Sequence, residues 1–198
     1  IQNTLNVSLK NVRSDYNYVA RVVYDEANAK LVTHQMISYR LYPSNNGYEP
    51  IKVGFRISDL NKCSIVRVCN RNGDRKEFTE SNLNFEETEI GGQKVKMGKV
   101  ELKEYNDIEP YLKVEIEITE EGFDHWIPIQ FQALQPTDGL RFSIDIPEGY
   151  SVKRPETFGQ GVKFHMDTLN SGREFVISCN QWLNEGAGLF VVVSKDPA

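Results

Sequence analysis

Hydrophobic and polar positions alternate with a period of two over most of this chain. Leu112, Val114, Ile116 and Ile118 alternate with Lys113, Glu115 and Glu117. Ile127, Ile129, Phe131 and Ala133 follow in the same rhythm, and then Leu140, Phe142, Ile144 and Ile146. Side chains of a strand point to opposite faces in turn, so this pattern predicts strands with one buried face and one wet face. Glu120-Glu121-Gly122, Pro136-Thr137-Asp138-Gly139 and Pro147-Glu148-Gly149 separate the runs and supply residues that reverse a chain. An antiparallel sheet is the expected result.

The remaining segments read in the same way. Leu5, Val7 and Leu9 suggest a first strand entering an edge. Tyr16 to Tyr42 fits two patterns: a helix capped by Ser14, with Glu26 reaching Lys30, or a hairpin that turns through Asp25 to Lys30. Its β-branched and aromatic content, and the Pro43 to Gly47 turn beyond it, favour the hairpin. Ile51, Val53, Phe55 and Ile57 form a further alternating run. Arg71-Asn72-Gly73-Asp74 carries the Asn-Gly pair of a type I′ hairpin turn, and Ile90 to Gln93 is a second tight turn. Val162, Phe164 and Met166 lead to Phe175, Ile177 and Cys179, and the unbroken apolar run Leu189 to Val193 predicts a strand covered on both faces.

About a dozen short strands with little helix predict an all-β, mainly antiparallel sandwich. Asn106 to Pro110 is the natural break, dividing the chain into an N-terminal β module of residues 1–106 and a C-terminal sandwich module of residues 107–198, or lying within one continuous domain.

Composition narrows the class of function. The chain has 198 residues, enough to bury a core without disulfides. No apolar run reaches the roughly 20 residues of a membrane-spanning helix. The first residue is Ile1 and no leader motif follows, so the sequence reads as part of a longer protein. Three cysteines are an odd number, and Cys63 and Cys69 lie six apart along one expected strand. On a straight strand they share a face about 20 Å apart, beyond the reach of a disulfide. Free, packed thiols in a reducing compartment, and so a cytoplasmic setting, are the favoured reading. Net charge is −5 but uneven, with 16 basic and 15 acidic residues before position 111 against 7 and 13 after it. The acidic half is a poor surface for double-stranded nucleic acid, which needs clustered cations.

No motif with a known catalytic mechanism occurs, and none calls for a metal or a cofactor. The favoured function is therefore a non-catalytic recognition or sensor domain that binds a small polar ligand, a nucleotide or a sugar, at a loop end. The alternative is a structural, adhesion or protein-interaction domain, contacting a protein partner or a second copy; an enzyme is the weaker third reading. Phe123-Asp124-His125-Trp126 places two aromatics, a carboxylate and an imidazole at the mouth of two strands, a suitable stacking and hydrogen-bonding set. Trp182, in a loop rich in small residues, joins Trp126, His125 and Asp124 if the two tryptophans meet at one end. Arg67, Arg71 and Arg75, with Arg56 nearby in sequence, form the basic cluster where an anion could bind. His34 and His165 fall on wet phases, and Glu115 and Glu117 on an outer strand face.

Overall fold

The computed structural model describes residues 10–90, 92–106 and 108–196. The expected strand over Leu5 to Leu9 lies outside them, as does Gly91 of the second tight turn. Fourteen strands occur among the described residues, and they form three mainly antiparallel sheets.

The ambiguous segment is a hairpin, β1 (Val12–Asp25) and β2 (Lys30–Tyr42), paired antiparallel from Val12↔Tyr42 to Asp25↔Lys30. The Asp25 carboxylate accepts the Ala27 and Asn28 N–H groups at 3.0 and 3.2 Å, which fixes the turn the polar stretch predicts. The first half also supplies β3 (Ile51–Arg56), β4 (Lys62–Cys69), β5 (Arg75–Phe78), β6 (Glu86–Ile90) and β7 (Gln93–Val100). The second half supplies β8 (Leu112–Glu121), β9 (Trp126–Gln132), β10 (Thr137–Asp145), β11 (Tyr150–Phe158), β12 (His165–Leu169), β13 (Glu174–Leu183) and β14 (Gly188–Lys195).

The largest sheet has eight strands in the order β12-β13-β10-β1-β2-β8-β4-β5. Strands from both sides of the Asn106 to Pro110 segment interleave within it. β8 lies between β2 and β4, and β10 pairs with β1 in parallel, from Arg13↔Thr137 to Arg21↔Asp145. Two three-stranded sheets, β11-β14-β9 and β3-β7-β6, complete the body.

One face of the large sheet is largely apolar. Tyr16, Tyr18 and Ala20 of β1 lie level with Leu140, Phe142 and Ile144 of β10, and Val114 and Ile116 of β8 lie level with Val68 and Val66 of β4. These residues belong to one core cluster with Ile51, Val53 and Phe55 of β3 and with Ile127, Ile129 and Phe131 of β9. Both small sheets therefore pack on that face, and Tyr16 meets Phe131 at 4.9 Å between ring centroids. The layered all-β sandwich read from the alternation is the architecture found. Glu115 and Glu117 lie on the opposite, outward face, level with Arg67 and Ile65 of β4.

Four local expectations change. Cys63 and Cys69 do sit on β4, but a bulge between Cys63 and Ile65 shifts the register, so Cys63 faces the core opposite Ile118 while Cys69 faces outward opposite Lys113. All three cysteines are free thiols, and burial pushes the Cys63 thiol up to about 11. The Asn72-Gly73 turn is not a two-residue type I′ turn. Gly73 alone has positive φ, at 89°, its N–H donates to Asn70 O, and the loop runs from Asn70 to Asp74, so the hairpin closes as a type I turn with a bulge at Gly73. β14 is the central strand of its sheet, yet it is covered on one face only, with Leu189, Val191 and Val193 buried while Phe190 and Val192 are half-exposed. Ile57 lies beyond the end of β3 and is exposed.

Candidate functional site

Near the predicted loop-end site lies a cleft of about 360 Å³ built by three chain reversals. Asn28, Ala29 and Lys30 come from the β1–β2 turn, Arg56 from the end of β3, and Glu121, Gly122, Phe123 and Asp124 from the β8–β9 turn. Main-chain bonds hold the turns together: Leu31 N–H donates to Phe123 O at 2.9 Å and Gly122 N–H to Leu31 O at 2.8 Å. Gly122 is required there, because a Cβ would come within 2.6 Å of the Ile127 side chain.

Glu121 anchors the cleft. Its carboxylate accepts Lys30 Nζ at 3.0 Å, its carbonyl accepts Arg56 Nη2 at 3.1 Å, and its N–H donates to Asn61 Oδ1 at 2.6 Å. The Ser58 hydroxyl, the largest influence, together with Lys30 and Arg56, holds the Glu121 carboxyl below the usual glutamate range against the opposing effect of burial. Because the folded-state pKa is depressed, ionised Glu121 stabilises the fold above its unfolded pKa, and that contribution is lost as pH falls through the lower folded value. Glu121→Gln should therefore lower the melting temperature at pH 7 and leave a smaller fall between about pH 5 and pH 3 than the parent shows. Parallel curves for the two proteins would mean that Glu121 is not so coupled.

Four of the residues expected to bind ligand fall here or at the opposite end of the body. Phe123 and Trp126 stack at 4.4 Å with an 18° interplanar angle, and Phe123, 46% exposed, is the ring that lines the cleft. Trp126 supports it from behind. Asp124 lines the cleft mouth and bonds His125 Nδ1, which holds the Asp124 carboxyl low. His125 itself is exposed to solvent. Trp182 does not join them. β9 pairs with β14 so that Trp126 sits level with Ser194 and Gln132 with Gly188, and Trp182 lies just before the turn that leads into Gly188. Trp126 therefore lies at the end of β9 remote from the β13–β14 turn that follows Trp182. Trp182 pairs with Asp138 and is 50% exposed.

The arginine cluster is a solvated, neutralised hairpin. Arg67 bonds Glu77 at 3.3 Å and faces Glu117 and, at 3.6 Å, Glu115; Arg75 pairs with Glu77; Arg71 sits at the exposed tip, where its N–H donates to Glu109 Oε2 at 3.2 Å. Arg56 belongs to the other site. His34 and His165 are exposed, as their wet phases predict. A second cleft, of about 390 Å³, lies between His34, Asp59, Leu60 and Lys62. Among the described residues no group of three His, Cys, Asp or Glu is placed to hold a metal ion, and no helix is long and apolar enough to cross a membrane.

Two features escaped the sequence reading. Lys30, Arg56 and Glu121 converge from positions up to 91 residues apart, and neither motif nor alternation marks them. The inward face also carries a polar group, in which Gln35 Nε2 donates to Thr33 Oγ1 at 3.0 Å and to Glu120 Oε2 at 2.8 Å. Its signal was present: Thr33 and Gln35 occupy the phase of Leu31, Tyr39 and Leu41.

No family model matches the chain, and no curated protein does. Among solved structures, it is similar to a putative protease from Parabacteroides distasonis ATCC 8503, with a TM-score of 0.57 at 12% identity over 93% of this chain. The match spans 40% of the Parabacteroides chain. Native leukotriene A4 hydrolase from Saccharomyces cerevisiae matches at a TM-score of 0.45 and 7% identity, over 92% of this chain and 29% of its own. The first likeness is one of fold.

Proposed function

We propose that this chain is a non-catalytic recognition module of a longer protein, taking a small polar ligand in the cleft between the β1–β2 and β8–β9 turns. The observation that carries the reading is the exposed ring of Phe123 set beside Lys30 and Arg56, with Glu121 and Asp124 as acceptors. An aromatic face beside convergent polar groups suits a ring that bears hydroxyls and an anionic group, that is, a nucleotide or an acidic sugar. Support for a place in a longer protein comes from the Parabacteroides structure, where the similar region makes up 40% of the chain. A protein-interaction role draws support from exposed strand edges.

The test is a thermal-shift panel of nucleotides, uronic acids and neutral sugars. A ligand that binds only the folded state at about a hundred times its Kd stabilises by about 2.7 kcal/mol, which raises Tm by about 5–10 °C in a chain of this size. Phe123→Ala, at an exposed position, should keep the parent Tm without ligand and lose the shift. A panel that moves nothing, or a shift that survives Phe123→Ala, overturns the assignment.

A further inference from the structure

We propose that β12 (His165–Leu169) is an acceptor edge on which an extended segment of another protein, apolar and basic at alternate positions, adds as a ninth strand of the large sheet. Among the described residues the sheet ends at β12, which pairs with β13 and with no other strand, and all five of its residues are exposed, Met166 at 42% and Leu169 at 39%.

Open edges are hazards that folded proteins blunt with charges, prolines or bulges. The other edges here follow that rule. β5 carries Arg75, Lys76 and Glu77; β6 carries Glu86, Glu87 and Glu89; β3 carries Lys52; β9 contains Pro128; and Pro155 of β11 falls in the register break between Lys153 and Glu156. β12 has no proline, lysine or bulge. Its device is weaker: Asp167 Oδ1 accepts the Thr168 N–H at 2.8 Å, so that this N–H is turned from β13 and capped by a side chain that can rotate away.

The chemistry of the occupant follows from the two faces of the edge. Met166 shares the inward phase with Ile177 of β13, so an added strand gains by placing an apolar side chain beside it. On the outward phase Asp167 lies opposite Val176 and diagonal to Glu174, which is level with Leu169 on one side and Asp145 on the other. A lysine or arginine opposite Asp167 would be paired there, and Thr168 N–H would pass from Asp167 to the incoming main chain. A second copy of β12 suits this edge poorly, because antiparallel pairing centred on Asp167 sets two carboxylates face to face.

A fluorescein-labelled nine-residue peptide of alternating valine and lysine tests the proposal, with the same peptide carrying a central proline as control. Fluorescence anisotropy should show saturable binding that the control peptide lacks, with added protection from exchange at the Met166 and Thr168 amides. Thr168→Pro removes no bond to β13 and should abolish binding at an unchanged melting temperature; Asp167→Lys should weaken it at least tenfold. If Thr168→Pro does not fold, Asp167→Lys alone carries the test. Binding that neither variant weakens, protection that maps to another edge, or no binding at all would overturn the proposal. So would concentration-dependent dimerisation of the parent that Asp167→Lys removes, since the occupant would then be a second copy.

Discussion

Replacing Phe142 by alanine is expected to lower the free energy of unfolding by about 3–5 kcal/mol in a single transition. The side chain is fully buried on β10, its ring stacks on Tyr18 at 4.6 Å, and it sits where β10 runs parallel to β1. Truncation removes apolar contact on both strands and leaves a cavity that a sheet flanked by paired strands can close only in part. A loss of that size is a large share of the 5–15 kcal/mol by which domains are ordinarily stable. The experiment is a urea titration read by far-ultraviolet circular dichroism and by tryptophan fluorescence. Both tryptophans lie after residue 111, so fluorescence reports the second half while dichroism reports the whole. Coincident curves shifted to a lower midpoint with the same slope are expected, because the strands of both halves share one sheet. Two separated transitions, with only the later residues shifted, would show that residues 1–106 and 107–198 unfold as independent modules.

β-branched and aromatic content decided β1 and β2, and alternation placed β8, β9 and β10, because a wet outer face forces period-two patterning and long strands give it room to show. It was silent on the parallel pairing of β1 with β10, since inward Tyr18 and Phe142 look the same whichever neighbour they meet. It also misread Cys63, because one inserted residue near Ser64 reverses the phase and bulges leave no compositional trace there. Phe123 and Asp124 were legible as members of a candidate site because they are contiguous with His125 and Trp126. Lys30, Arg56 and Glu121 were not, as they meet only after three reversals have closed. The separation of Trp126 from Trp182 was equally hidden: it is set by the β9–β14 register, which depends on the turn at Asn184 to Gly186 and not on either indole.

The second large effect is expected at Asn61, where alanine should cost about 2–4 kcal/mol. Asn61 is 6% exposed and makes two bonds that join separate strands, from Nδ2 to Arg56 O at 3.0 Å and from Glu121 N–H to Oδ1 at 2.6 Å. Alanine removes both partners at once and leaves a donor and an acceptor without partners in a partly buried setting, at about 1–3 kcal/mol for each buried group. Asp59, two residues away and exposed in the same loop, is the control: Asp59→Ala should stay within about 0.5 kcal/mol of the parent. The functional consequence is sharper than the thermodynamic one. Arg56 and Glu121 line the first cleft, and Asp59, Leu60 and Lys62 line the second, so the amide of Asn61 fixes the wall between them. At a temperature where Asn61→Ala is still folded, it should bind a ligand that the thermal-shift panel assigns to the first cleft at least tenfold more weakly than Asp59→Ala does. Equal affinities would mean that the loop holds its place without the latch, and that the cleft is shaped by the Lys30–Glu121 pair instead.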